Sequence, residues 1–417
     1  MKRSEVFTPT TQPTVTYIGD HLTERKMTLL RAIEMGGAVI TLSGPSKSGK
    51  TVFVETVLGK NNLVQVTGAS VTSADVLWKR VFDMVGTPIP ITESTAESIE
   101  TSGGGSFEIG VPSVFKGGAN LGGKSTTGLT GTRSISPDYL NMIVREFANS
   151  GMIIFIDDFH YIPKGIQDEI ATLIKEAVRQ GVIFVCAAVP YHADDVILAN
   201  PDLRGRMVKL DFDYWNASTL QRIARKGFDA LNVEVDDSVI DEFSLEAAGS
   251  PQLMQALCLN FCFEFDIDHK GAEKRFIPCP IEAIHKVCRL TALMTDYTSV
   301  IDSMKDGPKS RGERRKSYNL RDGKQLEVYP LILLAISTNP PELTIRYQNL
   351  QGRIASLCKQ GEAPSGSSVT GACAHLMDIA NATANASIVE WDGDSDVLDI
   401  RDPYLLFALR WSELSGG

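Results

Sequence analysis

Residues 44–51 read GPSKSGKT. Two glycines bracket four small or charged residues, and a lysine and a hydroxyl follow at once. This spacing suits the holding of phosphate. Gly44 and Gly49 let the backbone wrap an anion, with Pro45, Ser46, Lys47 and Ser48 filling the loop between them. Lys50 is set to bridge β- and γ-phosphates, and the Thr51 hydroxyl to ligate Mg2+. A second pair of chemical groups, Asp157 and Asp158, closes the apolar run GMIIFIDD at 151–158. Asp157 would orient the metal, and Asp158 is the candidate base that positions an attacking water.

Such a loop works only when it leaves a buried strand and opens a helix, so that free N–H groups and the helix dipole face the anion. The sequence predicts both. AVITLSG at 38–44 is a short apolar run rich in β-branched residues, and KTVFVETVLGK at 50–60 has apolar residues at helical spacing. NLVQVTG (62–68) reads as a strand and SADVLWKRVFDMVG (73–86) as a helix with Ser73 as its N-cap. SPDYLNMIVREFANSG (136–151) is a helix leading into the acidic strand. PKGIQDEIATLIKEAVRQG (163–181) is an amphipathic helix, and VIFVCAAVP (182–190) the next buried strand. Alternation of strand and helix requires parallel strands with crossover helices.

The rest of the composition narrows the class. A chain of 417 residues has room for two or three domains. No run reaches the roughly 20 apolar residues of a membrane helix, and the N-terminal MKRSEVFTPT lacks a signal-peptide core. The expectation is a soluble cytoplasmic protein without membrane attachment. The seven cysteines stand singly and read as reduced core thiols; Cys258 and Cys262, four apart with His285 and Cys288 downstream, come nearest to a metal-ligand spacing. A net charge of −10 argues against general affinity for nucleic acid.

From Gly44 to about Leu290 the order of motifs resembles the AAA+ P-loop ATPases: an α/β core with Walker A and Walker B motifs, an arginine before the last core strand, then a small helical lid. NPDLRGRMVKLDFDYW (200–215) supplies the arginine, and NASTLQRIARKGFDALNVEVDDSVIDEFSLEAAGSPQLMQALCLNFCFEF (216–265) reads as three helices. The resemblance implies ATP and Mg2+ as ligands. It also implies an arginine finger for a neighbouring subunit at Arg206, with Arg204 as the second candidate. Two family features are missing. The strand after the acids runs into AAVPYHADD, leaving only Tyr191 or His192 near the first sensor position, and the lid motif GSPQLMQ carries Gln252 where the second sensor arginine is expected. That departure resembles the transposition-regulator and STAND-type branches, and Asp158 is shorter than the glutamate many active members carry. Both features point to slow or partner-gated turnover.

Residues 303–325 hold eight basic against three acidic residues and read as a basic linker, with DNA contact possible through 305–324. Beyond it, VYPLILLAIST reads as a helix, PPELTIRYQNLQGRIASLCKQ as a turn and helix, and SSVTGACAHLMDIANATA as a third helix, followed by two strands around DGDSD and the closing helix DPYLLFALRW. Three helices and a hairpin resemble the winged-helix domain of origin-recognition-type ATPases. The surface of its third helix, Ser368, Thr370, His375, Asp378 and Asn381, lacks Lys and Arg, which favours packing on protein over reading bases. A Gly- and Ser-rich insertion over 93–135 interrupts the core.

The expected fold is therefore an α/β AAA+-like P-loop NTPase with a helical lid and a C-terminal winged helix. Its divisions are a core at 1–215, a lid at 216–302, a linker at 303–325 and a winged helix at 326–417. The expected function is an ATP-hydrolysing, homo-oligomeric switch that licenses a separately encoded effector, by analogy with ATPases of defence against phage and mobile elements. The alternative is a DNA-binding ATPase of initiator or transposition-regulator type, forming rings or filaments on duplex DNA.

Overall fold

The computed structural model describes residues 1–89, 138–189, 206–309, 312 and 315–411. The insertion at 93–135, Tyr191, His192, Arg204 and Arg314 lie outside them.

Five short strands, β1 (Val39–Ser43), β2 (Leu63–Thr67), β3 (Ile153–Asp157), β4 (Ile183–Ala188) and β5 (Met207–Asp211), form one sheet in the order β2-β3-β4-β1-β5. All its pairings are parallel. Because successive side chains point to opposite faces, an apolar strand must be covered on both sides. The alternation is clean. Val64, Val66, Ile154, Ile156, Phe184 and Cys186 pack on one face, beneath α4 (Ala74–Val85), α5 (Tyr139–Phe147) and α6 (Lys164–Arg179). Ile40, Leu42, Phe155, Val185 and Leu210 pack on the other, beneath α2 (Thr23–Met35) and α3 (Lys50–Leu58). A helix over Arg3–Val6 precedes these as α1. The α4 start follows the sequence reading, with the Ser73 hydroxyl accepting from the Val76 amide at 3.3 Å.

The next layer is helical: α7 (Ala217–Ala230), α8 (Asp237–Glu246), α9 (Pro251–Glu264) and α10 (Ile281–Leu293), with a two-stranded pair β6 (Val233–Val235) and β7 (Arg275–Ile277). Its core takes in Val6, Phe7 and Ile18, so the first residues of the chain pack with the lid and not with the sheet. Gly227 makes this possible, since a Cβ there would stand 2.2 Å from the Phe7 ring. Cys258, Cys262 and Cys288 are buried in this core, and loss of water pushes each thiol up from its ordinary pKa.

The C-terminal unit begins earlier than the sequence suggests. The expected linker at 303–325 is in large part ordered: α11 (Thr298–Asp306) sends Val300, Ile301 and Met304 into the C-terminal core, and β8 (Ser317–Asn319) pairs with β9 (Gln325–Glu327) as a hairpin. Then follow α12 (Val328–Ile336), β10 (Thr344–Arg346), α13 (Tyr347–Leu357), α14 (Gly366–Ala384), β11 (Val389–Asp392), β12 (Val397–Ile400) and α15 (Pro403–Trp411). The sheet order is β10-β12-β11, all antiparallel. Strand β10 is an addition to the sequence reading, which took its residues for a turn. No helix among the described residues is long and apolar enough to cross a membrane.

Lid and C-terminal unit are joined by a buried ion pair. Arg410 of α15 donates Nε to Glu246 of α8 at 3.0 Å and Nη1 to the Ser337 carbonyl at 2.7 Å, while the Trp411 indole donates to the same carboxylate at 2.7 Å. The side chains are 7% and 1% exposed, so neither charge has water to fall back on. Replacing Arg410 by Met should cost about 3 kcal/mol by stranding the carboxylate, and Glu246→Gln added to it should recover most of the loss. Urea unfolding midpoints of wild type, Arg410→Met and the double variant test this; equal midpoints for the two variants would refute it.

Candidate functional site

The strand order brings the ends of β1 and β3 to the same edge of the sheet, separated by β4, and the loop that leaves β1 turns directly into α3. Two glycines are required there. A Cβ on Gly44 would lie 2.5 Å from the Phe212 Cβ and 2.7 Å from its carbonyl oxygen, and Gly49 adopts φ 95°, a left-handed conformation that side chains disfavour. Gly49 is also the N-cap of α3, so the first free amides of that helix open onto the loop.

Lys50 is 8% exposed and donates to the carbonyls of Gly44 and Pro45, each at 2.7 Å. Burial pushes its ammonium down to about 8, with Asp157 and Asp158 pulling the other way. The Thr51 hydroxyl donates to Asp157 Oδ2 at 2.6 Å, and Asp157 Oδ1 accepts from the Asp158 amide at 3.0 Å. Burial holds Asp157 above the usual carboxylate range, against the opposing effects of the Thr51 hydroxyl and Lys50. Asp158 stands just past β3 at φ 54° and is pushed up to about 6 by burial and then by the Asp157 charge, with Lys50 opposing. Gly68 lets the end of β2 close on this corner: its amide donates to the Asp157 backbone carbonyl at 2.8 Å, and a Cβ would fall 2.4 Å from the Asp158 carbonyl oxygen.

All three groups are therefore held where their charged forms are under-solvated. A hydroxyl and a carboxylate in contact form a hard-oxygen donor pair of the kind Mg2+ takes. Among the described residues, the buried Ser48 hydroxyl has no hydrogen-bond partner and Lys50 bonds only to loop carbonyls, so both can serve phosphate oxygens. The residues fit Mg2+ and a nucleoside phosphate.

A cleft of about 620 Å³ opens over this corner, large enough for a nucleotide. Apart from Gln252 of the lid motif, its walls hold groups that no sequence motif singles out. The segment Thr8–Ile18 forms one side, fixed by Gln255, which accepts from the Thr8 amide at 3.2 Å and donates to the Thr16 hydroxyl at 2.6 Å. Trp215 donates its indole N–H to the Ser48 carbonyl at 3.0 Å. Gln252 lines the cleft from the lid, as do Arg401 and Asp402 from the C-terminal unit. Only long-range folding unites these residues, and Gln252 alone is marked by a local motif.

Arg206 lies elsewhere. It is exposed, and its carbonyl accepts from the Val39 amide at 2.8 Å at the start of β1. Since Val39 pairs with Met207 and Ser43 with Asp211, Arg206 sits at the end of the sheet opposite the phosphate loop, about 15 Å away along the strands. It cannot serve the cleft of its own chain. In the C-terminal unit, His375 hydrogen-bonds Tyr329 at 2.9 Å, and Asn381 holds the start of β11 through the Ile388 and Val389 amides. His375 stays exposed on the helix surface, as its sequence reading has it, while Asn381 is half-buried and serves the packing of β11.

No protein-family model matches the sequence and no curated protein matches it. Among solved structures, the chain is similar to the Walker-type ATPase paby2304 of Pyrococcus abyssi, with TM-score 0.50 and 14% identity over 94% of this chain and 96% of that one. It is also similar to Cdc6p from Pyrobaculum aerophilum, with TM-score 0.46 and 14% identity over 99% and 97% of the two chains. For the ORC2 protein of Aeropyrum pernix the values are 0.49 and 12%, over 99% and 97%. The likeness to the Walker-type ATPase shows the fold alone, an α/β P-loop fold with a parallel five-stranded sheet.

The raised carboxyl of Asp158 sets a sign for stability. A carboxyl that binds its proton more tightly when folded stabilises the fold below its unfolded pKa of about 4, and that contribution is lost as pH rises through about 6. Asp158→Asn should therefore stabilise the nucleotide-free protein at pH 7.5 by about 1–2 kcal/mol, a value discounted because the carboxyl is partly open to water. The gain should shrink toward zero by about pH 4. Chemical unfolding at both pH values measures it, and a gain that grows on acidification would contradict the assignment.

Proposed function

We propose that the protein is an ATP-binding and ATP-hydrolysing switch. The observation that carries this is the convergence of Lys50, Thr51, Asp157 and Asp158 at one edge of the sheet, where the ammonium is buried, both carboxylates are half-buried, and burial works against the charged form of all three.

In this reading the Lys50 ammonium turns from the Gly44 and Pro45 carbonyls to the phosphate chain, and the loop amides and the start of α3 hold the remaining oxygens. Thr51 and Asp157 hold Mg2+, which when bound neutralises charge on the phosphates. Asp158 orients water and takes its proton; its pKa of about 6 leaves it mostly ionised, yet basic, at neutral pH. Trp215, Gln252 and the segment Thr8–Ile18 enclose the nucleotide.

The exposed Arg206, too distant for its own cleft, is assigned to the cleft of a second copy, where its guanidinium stabilises charge on the transferred phosphoryl group. Homo-oligomerisation follows from that assignment. The order α12-β10-α13-α14-β11-β12 supports a winged-helix C-terminal domain that engages a protein partner, such as a separately encoded effector. A defence role rests on family analogy alone. The DNA-binding reading is weakened by Arg315, which is tied to the Asp306 carbonyl at 2.6 Å and to Glu327 at 3.0 Å.

Lys50→Ala should abolish nucleotide binding. Asp158→Asn should keep binding and lower turnover at least about a hundredfold. Arg206→Ala should bind as wild type but lose turnover and nucleotide-dependent growth in mass. Calorimetric titration, phosphate release and light scattering read the three, and full turnover in Asp158→Asn would remove the proposed base.

A further inference from the structure

One residue of the phosphate loop is already engaged by the far end of the chain. Lys47, at φ 60°, directs its side chain out of the loop and donates Nζ to both carboxylate oxygens of Asp402, at 2.8 and 2.6 Å. The ammonium also stands 4.3 Å from the centre of the Tyr404 ring. Asp402 lies in the turn between β12 and α15 and is 8% exposed. Its carboxylate is further held by the Tyr297 hydroxyl at 2.6 Å and the Tyr404 amide at 2.9 Å, both groups of the C-terminal unit.

The C-terminal unit thus presents a fixed negative charge on the wall of the cleft that takes the phosphates, and neutralises a cation of the phosphate loop itself. A triphosphate arriving in that loop competes for Lys47 and is repelled by Asp402. Both effects act through a half-buried pair, where screening by water is weak.

We propose that the Lys47–Asp402 pair is a nucleotide-sensitive latch: docking of the C-terminal unit on the phosphate loop and occupancy of that loop by a nucleoside triphosphate oppose each other. Triphosphate loosens the β12–α15 turn, and by reciprocity the docked turn lowers triphosphate affinity. The Glu246–Arg410 pair stays intact and serves as the hinge side, so the unit loosens at one edge without leaving the lid. Removing Asp402 frees Lys47 for phosphate and takes the repelling charge away. Removing Lys47 undocks the turn but leaves the repulsion.

The proposal rests on the reading of the cleft as an ATP site. Its test uses the full chain as wild type, Asp402→Asn and Lys47→Met, with two readouts: titration with a fluorescent ATP analogue and Mg2+, and hydrogen exchange of the amides at 401–411 with and without ATP. Asp402→Asn keeps the size of the side chain, and its unfolding midpoint checks the fold. The expected result is about tenfold tighter binding by Asp402→Asn, weaker or equal binding by Lys47→Met, and faster exchange at 401–411 in both without nucleotide. In wild type, ATP should raise that exchange and ADP should raise it less. Saturable binding of equal affinity in wild type and Asp402→Asn, or exchange indifferent to ATP, would overturn the latch and leave the site standing. No saturation in any of the three would overturn both.

Discussion

Three charged groups shielded in part from water at one edge of a parallel sheet are the constraint that orders this molecule. Lys50, Asp157 and Asp158 lie where two buried strands end, and burial works against the charged form of each. The apolar strands are what make this possible. Covered on both faces, they cannot relax toward solvent, so the backbone that leaves them has a fixed direction and the charges it carries cannot drift outward. The cost of desolvation is met in part by the Thr51–Asp157 hydrogen bond and the attraction of Lys50 to both acids. In the proposed reading the remainder is met by a ligand of opposite character at each point, phosphate for Lys50 and a cation for Asp157.

The second level of order is the way later parts of the chain lean on that corner. The N-terminal segment is fixed by Gln255 of the lid, Trp215 reaches the loop carbonyl of Ser48, and Lys47 reaches Asp402. Each contact spans a large sequence separation and each touches or borders the phosphate loop. The two links to the C-terminal unit differ in kind. Glu246 and Arg410 are almost fully buried and bonded on several sides, which suits permanent joining. Lys47 is 27% exposed at the side chain and lies where an anion would bind, which suits a contact that yields.

This division also explains which features could be read from the sequence. Strands β1, β3 and β4 and helices α3, α4 and α6 announce themselves by apolar pattern, and the residue types at 44–51 and 157–158 carry their chemistry in adjacent positions. Asp402, Trp215 and the segment Thr8–Ile18 have no local mark, because their roles exist only after the chain has closed on itself. The stretch 303–325 misleads for a related reason. Its charge and Gly-Pro-Ser content suggest a solvated linker, yet Arg315 satisfies two backbone carbonyls and Glu327, and lies 4.9 Å from the Tyr329 ring, while the apolar residues of α11 fill the C-terminal core. Charge density along the chain does not say which charges are internally paired.

The position of Arg206 separates it from the cleft of its own chain. The β1–β5 register sets that guanidinium at the far end of the sheet from Lys50, and no rotamer of a side chain spans five residues of strand. A catalytic arginine at this position must act on another copy, or not at all. Within one chain, the cleft gathers cations from the phosphate loop itself and Arg401 from the C-terminal unit, and Gln252 brings no charge from the lid. In the proposed reading, turnover in such a site depends on what a neighbour brings, while binding does not. A protein built this way would hold nucleotide first and hydrolyse it only on assembly, the order of events that the proposed switch requires.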